Sequence, residues 1–423
     1  MSRCRAVLTR SAVLGLLLAL VGVSAGTGTA YAKDGIVPGH LPYPRHGTTT
    51  VGPGIDADAS HAQLAESLPA TVRASWAALV PQCTPGGTQP DELVSTSTTG
   101  ALTIAFDRVG ICTYVSAYRT SSGKLVWRKL YLFAKSVATG QHTTYVHWLD
   151  VNDRAHVDAL RTTTGTRRWR ATGAYCCSAS NLAVGSGVVV NNGLVLAASD
   201  GKRRFQFDSP SDDPQSLVSH GRVYMNSIDY VEAFTPHGRR LWRYAKTSLR
   251  GPGDGDEQPQ LHDGILYVHS GGSSDGRTLA LRASTGSLVR LLPVSTAPLA
   301  FDGHVAILGA VTEMGTRGTV SAVDVRTGAA YWALAYGLGP RATGPGVNFS
   351  PGAVIANGLL WYIGGTADPS HPTALYALRE TTGRTVSVLP TPCLKTGGGG
   401  AIGIARHRIF APTGCGLVTY VGR

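Results

Sequence analysis

The stretch "GAYCCSAS" sets two thiols, Cys176 and Cys177, on consecutive residues. Three chemistries suit such a pair: a redox couple, a strained vicinal disulfide, or the starts of two separate long-range bridges. Joined to each other across a trans peptide, their Cα atoms stand about 3.8 Å apart, below the usual disulfide span, so that bond carries strain. A second run is "GDGDE", in which Asp254, Asp256 and Glu257 offer clustered oxygen ligands of the kind calcium takes. It lacks the spacing of a complete calcium loop, and a solvated acidic turn is the simpler account. The third group is cationic. "GTRRWR", "GKRRFQ" and "GRRLWR" carry Arg167, Arg168, Arg170, Lys202, Arg203, Arg204, Arg239, Arg240 and Arg243. Such a group attracts polyanions. On an exposed outer strand it also guards the edge against pairing with another chain.

Catalytic constellations are otherwise missing. There is no G-x-S-x-G elbow, no H-E-x-x-H, no haem-attaching C-x-x-C-H and no phosphate-binding glycine loop. "TGGGGAIGI" leads into a strand, whereas phosphate sites open onto a helix. The thirteen histidines are scattered without ligand spacing. No motif for specific nucleic-acid recognition is present. The balance leans toward binding rather than catalysis.

The first 32 residues read as an export signal. Arg3, Arg5 and Arg10 precede the apolar run Ala12 to Val23, and Ala30-Tyr31-Ala32 is a small-x-small cleavage site. The run is too short to span a bilayer, and no later stretch is long and apolar enough to cross. A secreted, extracytoplasmic protein is expected. Removing the three arginines lowers the formal charge from +12 to +9 and leaves six of the seven cysteines, at 83, 112, 176, 177, 393 and 415. An even number in an oxidising compartment favours disulfides. Residues 33–60 are Pro- and Gly-rich and read as a flexible linker.

The elements that must position these groups come from an internal repeat. "VSAYRTSSGKLVW", "VDALRTTTGTRRW", "LALRASTGSLVR", "VSAVDVRTGAAYW" and "LYALRETTGRTVS" align without gaps, and "VLAASDGKRRF" and "VEAFTPHGRRLW" align more loosely. Their turn glycines, from Gly123 to Gly383, cover 260 residues in six intervals, a mean period of about 43, in the range of a propeller blade. An alanine lies six residues before the glycine in five copies (Ala117, Ala159, Ala280, Ala322, Ala377), which suits close packing of neighbouring sheets. Four residues after it comes Trp127, Trp169, Phe205, Trp242 or Trp332, a ring placed to dock on the adjacent unit. Arg290 and Ser387 break this pattern, so two seams should be filled differently.

Four short antiparallel strands per period predict an all-β, eight-bladed β-propeller over residues 61–423, with seven blades as the alternative. The C-terminus carries only three strands of an eighth unit. The fourth must come from upstream, and "TVRASWAALV" (71–80) is the candidate, although the same stretch could form a helix.

The A-x-x-x-x-T-G-x-x-x-W pattern resembles the PQQ-type propeller repeat of quinoprotein dehydrogenases and of the non-catalytic BamB-like assembly factors, over roughly 93–423. That resemblance implies the fold, and a structural role for the tryptophans, since enzymes and non-enzymes share it. It also implies that an adjacent-cysteine disulfide can lie beside a quinone, so Cys176 and Cys177 are weak candidates for PQQ and calcium chemistry. No Glu, Asn and Asp set for calcium and a base can be assigned, and no cofactor is the leading expectation.

Strand parity places all six cysteines on one face, that of the second-to-third links and blade-joining loops. Pairs such as 83–112 and 393–415 would clamp the closing seam, contributing ~2–4 kcal/mol each. Cys176 and Cys177 lie away from that seam and are left to each other. The longest loops, in blades five to seven, share this face and suit recognition. The expected protein is a secreted binding or scaffold propeller. Its partner would be a protein or anionic polymer of the cell envelope, held by these loops or by the basic outer wall. The alternative is a PQQ- and calcium-dependent dehydrogenase.

Overall fold

The computed structural model describes residues 69, 71–79, 92–99, 101–109, 112–140, 142–173, 182–207, 214–246, 258–270, 277–292, 298–311, 317–337, 353–364, 374–390, 402–413 and 416–422. All regular structure among them is β. Strand β1 (Val72–Leu79) opens the described chain but belongs to the last sheet.

Blade I is β2 (Glu92–Thr99), β3 (Leu102–Val109), β4 (Cys112–Arg119) and β5 (Leu125–Leu132). Blade II is β6 (Ala134–Thr139), β7 (Thr143–Leu149), β8 (Ala155–Arg161) and β9 (Arg167–Thr172). Blade III is β10 (Ala183–Gly185), β11 (Val188–Asn191), β12 (Leu194–Ala197) and β13 (Arg203–Gln206). Blade IV is β14 (Gln215–Ser219), β15 (Arg222–Asn226), β16 (Tyr230–Phe234) and β17 (Arg240–Ala245). Blade V is β18 (Gln260–His262), β19 (Ile265–Ser270), β20 (Arg277–Arg282) and β21 (Leu288–Leu292). Blade VI is β22 (Pro298–Asp302), β23 (Val305–Val311), β24 (Arg317–Asp324) and β25 (Ala330–Gly337). Blade VII is β26 (Val354–Ala356), β27 (Leu359–Gly364), β28 (Ala374–Arg379) and β29 (Thr385–Pro390). Blade VIII holds β30 (Gly403–Ala405), β31 (Arg408–Thr413) and β32 (Gly416–Gly422), and its sheet order is β1-β32-β31-β30.

The ring is therefore an eight-bladed propeller of antiparallel meanders. The stretch that could have been helix or strand is β1, paired antiparallel to β32 from Val72↔Gly422 to Leu79↔Gly416. Closing the ring in this way removes an open sheet edge at the join between chain ends.

The apolar side chains form eight clusters, and each straddles one seam between neighbouring blades. The repeat alanines explain why the blades come so close. Ala117, Ala159, Ala280, Ala322 and Ala377 are all buried on third strands, where a larger side chain would hold the next sheet away.

A bulge recurs with the same placement in every blade. The pairing between third and fourth strands slips by one residue just before the docking position, leaving Val126, Arg168, Arg204, Leu241, Val289, Tyr331 and Val386 without a partner across the ladder. The β1–β32 pair slips at Ser75, so even a strand from the far end of the chain copies the device. A bulge bends and twists the strand that carries it. Here it precedes the aromatic that turns toward the next blade.

Each ring then covers the turn glycine of the following blade. A Cβ built on Gly165 would stand 2.7 Å from Trp127, on Gly201 2.6 Å from Trp169, on Gly238 2.8 Å from Phe205, on Gly286 2.5 Å from Trp242 and on Gly383 2.7 Å from Trp332. Trp76 of β1 lies 2.6 Å from the same point on Gly123, so the closing strand supplies the eighth blade's dock. Glycine is required twice over at a position such as Gly286, where φ is +73° and no side chain fits beneath the ring. The indole N–H groups donate to the carbonyl three residues before the glycine: Trp76 to Thr120 (3.1 Å), Trp127 to Thr162 (2.7 Å), Trp169 to Ala198 (3.1 Å), Trp242 to Ala283 (2.9 Å) and Trp332 to Glu380 (2.6 Å).

The two exceptions have physical reasons. At the seam from blade V to VI, Arg290 replaces the ring, donates to the Thr327 carbonyl at 3.1 Å, and leaves nothing within 4 Å of the Cβ position on Gly328. At the seam from VII to VIII, Ser387 faces a blade whose third and fourth strands come from opposite parts of the chain. No tight turn joins β32 to β1, so a ring there would have no glycine to cover.

Candidate anion-binding wall

The nine cations singled out from the sequence lie on or just before β9, β13 and β17, the outermost strands of blades II, III and IV, and all are exposed. The ladder register separates them into two groups. Arg170 stands opposite Asp158 and Arg243 opposite Glu232. Arg170 grips the carboxylate with two hydrogen bonds, of 2.6 and 2.9 Å, and Arg243 meets Glu232 at 2.6 Å. Both acids are buried. Each guanidinium also lies over a ring, Arg170 4.7 Å from the centroid of Trp148 and Arg243 4.4 Å from that of Tyr230. These two arginines neutralise buried carboxylates and brace the outer strands.

Asp158 also accepts a hydrogen bond from Tyr131 of blade I, at 3.4 Å. Burial pushes the Tyr131 phenol above its ordinary range, and the Asp158 charge adds to the shift. The hydrogen bond to Asp158 raises Arg170 further. Across the stacked Trp148–His156 pair lies Asp150, held down to about 2 by hydrogen bonds from the Arg154 backbone and the His156 ring.

The other cations are less committed. Arg240 reaches Glu232 at 3.5 Å, Lys202 reaches Asp200 at 3.6 Å with both ends exposed, and Arg168 donates to Thr143 at 2.8 Å. The exposed Arg167 side chain makes no hydrogen bond or ion pair among the described residues and acts on the Tyr131 phenol only through its charge. Arg203, Arg204 and Arg239 have no side-chain partner among the described residues.

The docks make these groups continuous. Arg168 and Arg170 flank Trp169, which covers Gly201, and Gly201 is followed by Lys202, Arg203 and Arg204. Arg204 in turn precedes Phe205, which covers Gly238, and Gly238 is followed by Arg239 and Arg240. A chain of direct contacts therefore carries positive charge across two seams. Strands β9, β13 and β17 contain no acidic residue.

The remaining candidates fall elsewhere. Cys112 opens β4 and is disulfide-bonded, and its partner lies outside the described residues. Cys83, Cys176, Cys177, Cys393 and Cys415 also lie outside them, as do Asp254, Asp256 and Glu257. Among the described residues no three His, Cys, Asp or Glu side chains come together in a group able to hold a metal ion. The described chain thus shows no donor set against which calcium, or a calcium-bound quinone, can be fitted. No helix among the described residues is long and apolar enough to cross a membrane.

Three structural residues escaped the sequence reading. Trp76 is a dock, and the signal was there, since the stretch 71–80 expected to complete the last blade carries a tryptophan, as the fourth strands of the other units do. Asp158 and Glu232 were not recognised as partners of the wall, because only the ladder sets them opposite Arg170 and Arg243.

Comparison with known proteins agrees with this geometry. None of the curated proteins matches the sequence. Among solved structures, quinohemoprotein alcohol dehydrogenase ADHIIG from Pseudomonas putida HK5 superposes with a TM-score of 0.61 at 12% identity, covering 88% of this chain and 76% of its own. A europium-containing methanol dehydrogenase gives 0.59 at 10% identity, covering 86% of this chain and 90% of that one. The computationally designed protein Ika8 gives 0.59 at 13%, covering 79% and 97%. At such identities the likeness is one of fold. A family model described as outer membrane protein assembly factor BamB matches residues 112–387, most of the ring, and the chain belongs to that PQQ-like propeller family.

Proposed function

We propose that this chain is an exported, non-catalytic propeller that holds an anionic polymer of the cell envelope on the outer strands of blades II to IV. The supporting observation is a comparison of equivalent positions. The two residues before the docking position, the second of them the bulge, are Arg167-Arg168 in blade II, Arg203-Arg204 in blade III and Arg240-Leu241 in blade IV, but Leu125-Val126 in blade I and Leu288-Val289 in blade V. Leu125 and Val289 are 43% and 49% exposed. If the cations served only to guard outer edges, every blade would need them at this site. They are confined to one arc, and Arg203, Arg204 and Arg239 face solvent uncommitted to any described side chain.

Export is supported by the charged, apolar and small-residue start of the sequence and by its even number of later cysteines. The class of polymer follows from the arginines, whose planar fork recognises phosphate or carboxylate groups. The test is binding of inorganic polyphosphate to the full chain and to an R203Q/R204Q/R239Q variant across a salt series. A loss of at least tenfold with an unchanged unfolding midpoint is expected, along with a salt slope shallower by about three. Equal affinity of variant and parent would overturn the proposal. The dehydrogenase alternative, resting on Cys176 and Cys177, is separated by adding PQQ and calcium. Spectral change with dye reduction would favour it over a binding role.

A further inference from the structure

The cations of the wall are part of a larger asymmetry between the two faces of the ring. In every blade the turns between strands one and two, and between strands three and four, lie on one face, which is opposite the blade-joining links. On this turn face β4 ends in Arg119 and β8 in Arg161, four residues before their turn glycines, and Lys124 follows Gly123. All three are exposed, and none has a side-chain partner among the described residues. Trp127, which follows Lys124 by three residues, covers Gly165 just ahead of Arg167, so blade I joins the same chain of contacts. Among the described residues of these turns in blades I to IV the acid is Asp200, already beside Lys202. Carboxylates of blades II and IV that lie in links, Asp150, Asp153 and Asp229, belong to the opposite face. Blades V and VI differ, since Asp263, Asp302 and Asp324 sit in or beside their turns.

We propose that the polyanion runs along the turn-side rim of blades I to IV, with the wall of blades II to IV as its outer flank, leaving the face of the blade-joining links turned away from it. This deepens the proposed polymer-binding function and rests on it. Arg119, Lys124 and Arg161 add three cations to the track beyond the uncommitted wall arginines Arg167, Arg203, Arg204 and Arg239. It also fixes which face of the ring meets the polymer. The opposite face, that of the blade-joining links, is then open to a second partner at the same time.

Lysine acetylation footprinting with inorganic polyphosphate tests the orientation on the intact chain. Lys124 and Lys202 are exposed on the turn side, while Lys135, exposed near the start of β6, marks the opposite face. Saturating polyphosphate should slow acetylation of Lys124 and Lys202 by at least fivefold and leave Lys135 unchanged. In parallel, R119Q/R161Q should lower the salt slope by about two without moving the unfolding midpoint. Protection of Lys202 with none at Lys124, and an unchanged slope in R119Q/R161Q, would overturn the rim while leaving the wall intact. Absence of protection at both lysines would remove the polymer-binding function itself. Protection of Lys135 equal to that of Lys124 would overturn the orientation.

Discussion

The bare glycine at the seam between blades V and VI allows a gain of stability to be designed from the ring's own rule. Arg290 occupies the docking position, and nothing lies within 4 Å of the Cβ site on Gly328. Arg290→Trp places an indole there, with the Val325 carbonyl, three residues before the glycine, in the place of the acceptors at the other docks. An indole seated like Trp242, which is only 8% exposed, shields on the order of 100 Å² of apolar surface, equivalent to about 2.5 kcal/mol. Ordering the side chain takes back about 1 kcal/mol. The Arg290 hydrogen bond to Thr327 is lost, and the indole N–H replaces it at similar net strength. The balance is a stabilisation of about 1–2 kcal/mol, or roughly 1–3 °C in the midpoint of thermal unfolding of a chain this long. Differential scanning calorimetry of the full chain reads it, with Trp242→Ala as the reverse control, expected to cost about 3–5 kcal/mol. If Arg290→Trp leaves the midpoint unchanged or lowers it while Trp242→Ala destabilises as expected, the dock does not depend on the empty glycine platform. The reasoning from equivalent seams would then be wrong.

Two further outcomes follow from buried charge. His147 is buried with both ring nitrogens unpartnered, and burial, with Lys135 and His156 nearby, pushes it down to about 4. The unfolded chain binds that proton near 6.5, so the His147 contribution is present above 6.5 and lost as the pH falls toward 4, by up to about 3 kcal/mol. Burial, and then the charge and hydrogen bond of Asp302, push Glu380 up to about 9. Its contribution is present below 4.5 and lost as the pH rises toward 9. Glu380→Gln should therefore flatten the fall in urea-unfolding stability between pH 6.5 and 9. His147→Phe added to it should flatten the acid limb, and slopes that stay unchanged refute both assignments. For the wall, Arg170→Leu alone strands the Asp158 carboxylate and should cost about 3–5 kcal/mol, whereas Arg170→Leu with Asp158→Leu should recover most of the loss. A double variant as unstable as the single one would show that Arg170 acts through packing on Trp148.

Much of the fold can be read from residue order. The turn glycines, the alanine six residues earlier and the ring four residues later each reflect a local need: positive φ, close sheet approach, and a large apolar side chain at a constant offset. Such needs recur once per blade, so seven copies and an orphan set of strands are enough to count eight sheets. The part played by 71–80 was open between helix and strand because ten mostly apolar residues satisfy either period. Pairing with β32 decided it.

The wall was half legible. Composition and spacing show nine cations on three outer strands, and they show adjacent cysteines and an acidic run, which lie outside the described residues. They do not show that Arg170 and Arg243 are already engaged, because Asp158 and Glu232 lie 12 and 11 residues away along the chain and meet them only through the register that each bulge sets. Nor do they show that Trp169 and Phe205 bring the basic strands into one track, which depends on contact between blades. Periodicity alone determined that the chain makes repeated sheets, since each repeat obeys short-range rules. The tertiary structure decided which charges stay free, since that depends on which neighbours the closed ring brings within reach.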